Sequence, residues 1–170
     1  SDLEEFNARV LNLVRTKSLF DELKHSSHIL EGFAFIDGLT GLLNRRYLEE
    51  GLQQQFARAE RTQRPLSIMM IDLDHFKRVN DMFGYAIGDE VLKIVSETVK
   101  SSVRNVDIAC RYGGEELCVI MPGTPTLQAR DIAEQVRRNI EAKTLTPKLI
   151  RQTVSLGVST FPDLSGRDTL

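Results

Sequence analysis

Four acidic residues in this chain are spaced as metal-dependent chemistry requires. Asp72 and Asp74 stand two apart at the end of the apolar run Ile68-Met69-Met70-Ile71, and Glu115 and Glu116 follow the pair Gly113-Gly114. Carboxylates suit hard, oxygen-seeking cations such as magnesium. If the two segments are neighbours, Asp72 and Glu115 could hold two such ions between them. That is the minimum equipment for phosphoryl or nucleotidyl transfer, where metal polarises the phosphate, activates the attacking oxygen and neutralises the leaving group. The glutamates belong to Arg111-Tyr112-Gly113-Gly114-Glu115-Glu116-Leu117, between short apolar arms at 107–110 and 118–121. A Gly-Gly pair between such arms predicts a two-residue hairpin turn. With that turn at Gly113 and Gly114, alternation sends Glu115 and Glu116 to opposite faces, so only one readily looks into a shared pocket. The same parity places Arg111 with Glu116, a pair expected to brace the loop while Glu115 faces metal. Paired glycines also leave a ligand room to approach the backbone.

Each candidate has an ordinary structural alternative. Asp74 precedes a helical stretch at 75–81 and reads as its N-cap, which leaves Asp72 as the metal acid. His75 has no second histidine at zinc-ligand spacing. Asp89 reads as a first-turn acid that compensates a helix dipole, and Arg104 and Asp107 as a helix-end cation and a strand-edge acid. No Gly-x-x-x-x-Gly-Lys-Ser/Thr loop is present, which excludes a P-loop NTPase. A phosphatase using Asp72-Leu73-Asp74 with an aspartyl nucleophile lacks a supporting lysine motif and leaves the hairpin unexplained. Pattern alone reaches a metal-dependent phosphate enzyme.

Positioning these residues takes alternating strands and helices, hence an α/β (α+β) fold. Run 68–71 has strand length and is apolar throughout, as when both faces are covered. Leu48, Leu52, Phe56 and Ala59 form one helical stripe between the N-cap Asn44 and Pro65, with Arg58, Arg61 and Arg64 on the wet side. Val91, Leu92, Val95, Val99 and Val103 form a second stripe, and Leu127, Ile132, Val136 and Ile140 a third. Val154, Leu156, Val158 and Thr160 alternate as a half-buried strand. Over residues 1–32, Leu3, Phe6, Val10, Leu13 and Phe20 keep a three-four spacing broken by Lys17, predicting an N-terminal helix that pairs with its copy or packs on its own domain.

With 170 residues, 41% of them hydrophobic, the chain is long enough for one well-cored domain and an appendage. A formal charge of -2 and a pI near 5.9 argue against a nucleic-acid polymer as partner. No apolar run approaches a membrane span, so no membrane contact is expected of this segment. Cys110 and Cys118 are too few for a disulfide framework, so a reduced, cytoplasmic setting is expected. The chain begins in mid-pattern without an initiator methionine and reads as a piece of a longer protein.

Four ordered motifs then resemble one family. They are Asp37-x-Leu39-Thr40-Gly41-Leu42-x-Asn44-Arg45, Ile71-Asp72-Leu73-Asp74-His75-Phe76-Lys77, Asn80-Asp81-x-x-Gly84-x-x-x-Gly88-Asp89, and the hairpin. Together they are similar to the GGDEF family of diguanylate cyclases, from about Phe33 to the end. The resemblance implies a palm-like domain over 33–170, a mainly antiparallel sheet surrounded by helices, that binds GTP and works as a homodimer behind an upstream sensor. It implies synthesis of cyclic di-GMP, a bacterial second messenger, with magnesium or manganese as cofactor. By motif position it implies metal at Asp72, the Leu73 carbonyl and Glu115, and catalysis by Glu115, Glu116, Lys77 and Arg111. Leu39, Phe76, Asn80 and Asp89 would bind substrate, and Arg104 and Asp107 would bind product as an inhibitor. A catalytically weak domain that senses cyclic di-GMP or GTP is the alternative. Glu115 stands for the family's Asp, Leu117 for Phe and Tyr85 for a common His, which puts one nucleotide contact in question. Members usually continue beyond the last strand into a basic helix, so this domain is expected to be truncated at its C-terminal end.

Overall fold

The structure, a computed structural model, describes residues 35–145 and 150–162. The chain divides into two compact units, Ser1–Ile36 and Asp37–Leu170. The predicted N-terminal helix lies outside the described residues.

Helix α1 (Arg45–Thr62) starts where the sequence says it should, since the Asn44 side chain accepts a hydrogen bond from the Tyr47 amide at 3.1 Å. It ends at Gln63, in the left-handed region, ahead of Pro65. Strand β1 (Leu66–Leu73) follows, then α2 (Phe76–Phe83), α3 (Tyr85–Ser102), the hairpin β2 (Ile108–Gly113) and β3 (Glu116–Pro122), and α4 (Thr126–Glu141). Two-residue strands β4 (Thr144–Leu145) and β5 (Ile150–Arg151) pair with each other, and β6 (Val154–Phe161) closes the domain.

Four strands form one antiparallel sheet in the order β2-β3-β1-β6. Alternation along β1 sorts the core into two layers. Met69, Ile71 and Leu73 join Leu117, Val119 and Met121 against Val91, Leu92, Val95 and Val99 of α3 and Val136 and Ile140 of α4. Leu66 joins Cys110, Cys118 and Ile120 against Leu48 and Ala59 of α1. Each fully buried side chain of this kind contributes roughly 1.5–3 kcal/mol. Helix α1 does not cover the whole of its face: Met70, Asp72, Glu116, Ser155 and Gly157 are exposed. That bare end of the sheet carries the acids.

Most predicted stripes are buried, with two corrections. Leu127 is 75% exposed, and the buried face of α4 instead uses Ala129 and Ala133. Phe56 is 40% exposed and lies against the Phe161 ring, centroids 4.5 Å apart.

Candidate active site

Asp72 is the last exposed residue of β1, and the register sets its Cα opposite Glu116 on one side and Ser155 on the other. The turn of the hairpin is one residue later than Gly113-Gly114 implies. Gly113 pairs with Glu116 across a bulge at Tyr112, so the turn residues are Gly114, at φ +50°, and Glu115. Glu115 therefore sits at the tip rather than on the strand. Burial, then the Glu115 and Asp74 carboxylates, raise the Asp72 pKa above its ordinary value. The register brings the Glu116 backbone across from Asp72, while the first of the charges that raise the Asp72 pKa is that of Glu115. Asp72 at the end of β1 and Glu115 in the adjoining turn are the two carboxylates a divalent cation would use here, and the Leu73 carbonyl would add a third oxygen where the strand ends. Among the described residues no three or more His, Cys, Asp and Glu side chains surround a common point. A cation here would rest on two carboxylates, backbone and water, as magnesium does.

The bulge also overturns the Arg111–Glu116 brace. Arg111 pairs with Leu117, on the opposite face from Glu116. Its guanidinium donates to the Gly114 carbonyl at 2.8 and 3.0 Å and to the Asp37 carboxylate at 3.1 Å. Asp37 in turn accepts from the Thr40 amide at 2.9 Å and hydroxyl at 2.7 Å. Burial pushes the Asp37 pKa up, but the Thr40 and Arg111 hydrogen bonds outweigh it and hold the carboxyl below its ordinary value. This loop is fixed to the sheet as well, since the Leu43 amide donates to Ala109 and the Arg111 amide to the Leu43 carbonyl. Asp37 thus tethers the tip that carries Glu115, a role visible in the sequence only as an Asp three residues before Thr.

Asp74 is not an N-cap. The N-cap position of α2 is His75, at φ +55°, and the Asp74 carboxylate accepts from the Ser155 hydroxyl at 2.6 Å and the Thr153 hydroxyl at 2.7 Å. The Ser155 bond is the largest cause of its lowered pKa.

Phe76 and Lys77 open α2, the first buried on the core and the second exposed. Asn80 is one turn on, where its amide lies over Gly88 of α3: a Cβ there would overlap the Asn80 amide oxygen, with Cγ 2.9 Å away. The glycine before Asp89 is what lets the amide sit between the two helices. Asp89 itself is exposed and lies beyond the first turn of α3, which begins at Tyr85, so the dipole reading fails. Leu39 packs, half-buried, on the core that holds Phe76.

Arg104 and Asp107 lie at the other end of β2, about 20 Å from the hairpin tip by strand rise. Asp107 is fully shielded; its carboxylate accepts from Arg104 Nη2 at 2.6 Å and the Arg104 amide at 2.9 Å. The same guanidinium reaches the Pro122 carbonyl and the Thr124 hydroxyl.

Over residues 34–169 the sequence matches the GGDEF domain of diguanylate cyclases. The chain belongs to the GGDEF family. It is 42% identical over 163 residues to the response regulator PleD of Caulobacter vibrioides, covering 93% of this chain and 36% of PleD. It is 35% identical over 150 residues to the cyclic di-GMP phosphodiesterase NbdA of Pseudomonas aeruginosa, covering 88% of this chain and 19% of NbdA. The crystal structure of the coiled coil and GGDEF domain of DgcB from Caulobacter crescentus, in complex with c-di-GMP, superposes with a TM-score of 0.79. That match is at 27% identity and covers 88% of this chain and 81% of the DgcB chain. The antiparallel sheet flanked by helices is the architecture the resemblance implied, and no described helix is long and apolar enough to cross a membrane.

Proposed function

We propose that this domain is the catalytic unit of a diguanylate cyclase that condenses two GTP into cyclic di-GMP and two pyrophosphates. The observation that carries the reading is the placement of Asp72 at the end of β1, directly across from the first residue after the turn that carries Glu115, at an open end of the sheet. Held by Asp72, the Leu73 carbonyl and Glu115, magnesium or manganese would polarise the α-phosphate and offset charge on the departing pyrophosphate. Asn80 can donate and accept, and Asp89 can accept, so together they suit the donors and acceptors of a guanine edge. Leu39 and Phe76 give that pocket its apolar wall. Lys77, on the first turn of α2, stands where phosphate charge would gather.

In each half-reaction a ribose 3'-oxygen bonds to the α-phosphorus of the other GTP while the bond to pyrophosphate breaks. Glu115 would accept the hydroxyl proton. One domain presents one GTP, so the reaction needs a second copy facing it, and an upstream sensor would set how the copies meet. Cytoplasmic GTP is the substrate pool this requires. Arg111 acts through position, by holding the Gly114 carbonyl.

Incubating the protein with GTP and magnesium should yield cyclic di-GMP, and Asp72→Asn should abolish it. Finding only unreacted GTP, under conditions where the protein binds both GTP and magnesium, would favour a second reading. In that reading the domain senses GTP or cyclic di-GMP without turning it over, and the likeness to a named phosphodiesterase is what keeps it in play. Product inhibition at Arg104 and Asp107 is part of the same proposal, supported by the spacing of five residues, 108–112, between Asp107 and Gly113. Arg104→Ala should raise the product concentration at which synthesis stalls. An unchanged inhibition curve would count against that assignment.

A further inference from the structure

Asp74 engages all its backbone and side-chain polar groups with one short stretch at the start of β6. Its amide donates to the Thr153 carbonyl at 3.0 Å, and its carbonyl accepts from Gln152 Nε2 at 2.7 Å. Its two carboxylate oxygens accept from different hydroxyls, Ser155 at 2.6 Å and Thr153 at 2.7 Å. Gln152 is 2% exposed and its second bond goes to the Thr153 carbonyl at 2.8 Å, so the donor that grips Asp74 is itself fixed.

These bonds fall where the chain would otherwise be loose. Strand pairing of β1 ends at Leu73, and His75 adopts φ +55°, ψ +27° before α2 begins at Phe76. A left-handed residue with a side chain costs roughly 1–2 kcal/mol, so such a joint persists only when its surroundings hold it. On one side of the joint are Asp72 and the Leu73 carbonyl, and on the other are Lys77 and Asn80.

We infer that Asp74 is a positioning residue, clamped by Gln152, Thr153 and Ser155, that aims the Asp72 carboxylate and the Leu73 carbonyl at a divalent cation. The inference rests on the metal site proposed above. With both oxygens committed to hydroxyls, Asp74 is not offered to the cation, although it is an acid two residues from Asp72. Ligands need partners that fix their orientation, and removing such a partner typically weakens metal affinity by about 10–100-fold.

Manganese binding, followed by loss of the free-ion EPR signal, reads this directly and without turnover. Asp74→Ala, and separately Thr153→Val with Ser155→Ala, should each weaken manganese binding about tenfold. Turnover should recover at saturating metal. Asp74→Asn, which can still bond both hydroxyls, should restore most of the affinity. If the double variant binds manganese as the parent does, or more tightly because a carboxylate has been released to act as ligand, the inference is overturned. It is equally overturned if Asp74→Asn binds as weakly as Asp74→Ala, since charge rather than placement would then be the contribution. Asp72→Asn separates the two levels: full manganese binding in that variant would refute the metal site itself, whatever the clamp variants do.

Discussion

Arg111 shows how much rests on one side chain. It bridges the Asp37 loop to the hairpin tip, and neither partner is the glutamate that parity assigns. Asp37→Asn should therefore lower activity by loosening the tip that carries Glu115. It should also change acid sensitivity in a defined direction. Because the folded pKa of Asp37 lies below its unfolded value near 3.8, its ionised form adds stability above that pH, and the contribution is lost as pH falls through the folded value. Urea titrations at about pH 6 and pH 3 should thus show a smaller loss for Asp37→Asn than for the parent. An equal loss would mean that Asp37 adds nothing. The two cysteines give a second check. Cys110 and Cys118 face each other across the ladder, both buried, and burial pushes each thiol up to about 12. Iodoacetamide at pH 8 should leave both unmodified in the native protein and label both in denaturant. Asp72 and Glu115 are legible in sequence because a buried strand and a glycine turn announce where acids will emerge. Asp74's partners are not, because they lie about 80 positions away and nothing local names them.

Elements were readable where periodicity is long. Helices α1, α3 and α4, strand β1 and strand β6 follow their apolar stripes, and Asn44 marks the start of α1. Two-residue β4 and β5 are too short to leave a pattern. The hairpin register escaped because Gly-Gly permits a turn at either position, and only the bulge at Tyr112 selects the later one. The crossing of α2 on α3 carries its own prediction. Adding a methyl at Gly88 must displace the Asn80 amide, which sits against it. Gly88→Ala should raise the KM for GTP at least as much as Asn80→Ala and cost about 1–3 kcal/mol in stability, measured by denaturant unfolding. Normal GTP affinity in Gly88→Ala would place the base elsewhere. At the joint between β1 and α2, His75→Gly removes the left-handed penalty at φ +55° and should leave stability unchanged or raise it by up to about 1 kcal/mol.

At the scale of the molecule, a sheet covered on one face by α3 and α4 and only partly on the other by α1 leaves one end open, and Asp72 and the hairpin tip lie there. An open, one-sided site suits a reaction completed by a second copy. Specific activity should therefore fall as the protein is diluted below its dimerisation constant, and constant specific activity over a hundredfold dilution would argue for a self-sufficient domain. The central claim is narrower: acids from β1 and from the turn after β2 share a divalent cation over the triphosphate. Crystals soaked with manganese and a non-hydrolysable GTP analogue test it most directly, through the anomalous signal of the metal. The account predicts a peak within coordination distance of the Asp72 carboxylate, the Leu73 carbonyl and the Glu115 carboxylate, beside the analogue's phosphates. A peak bound by neither acid, with the analogue ordered in the site, would contradict it.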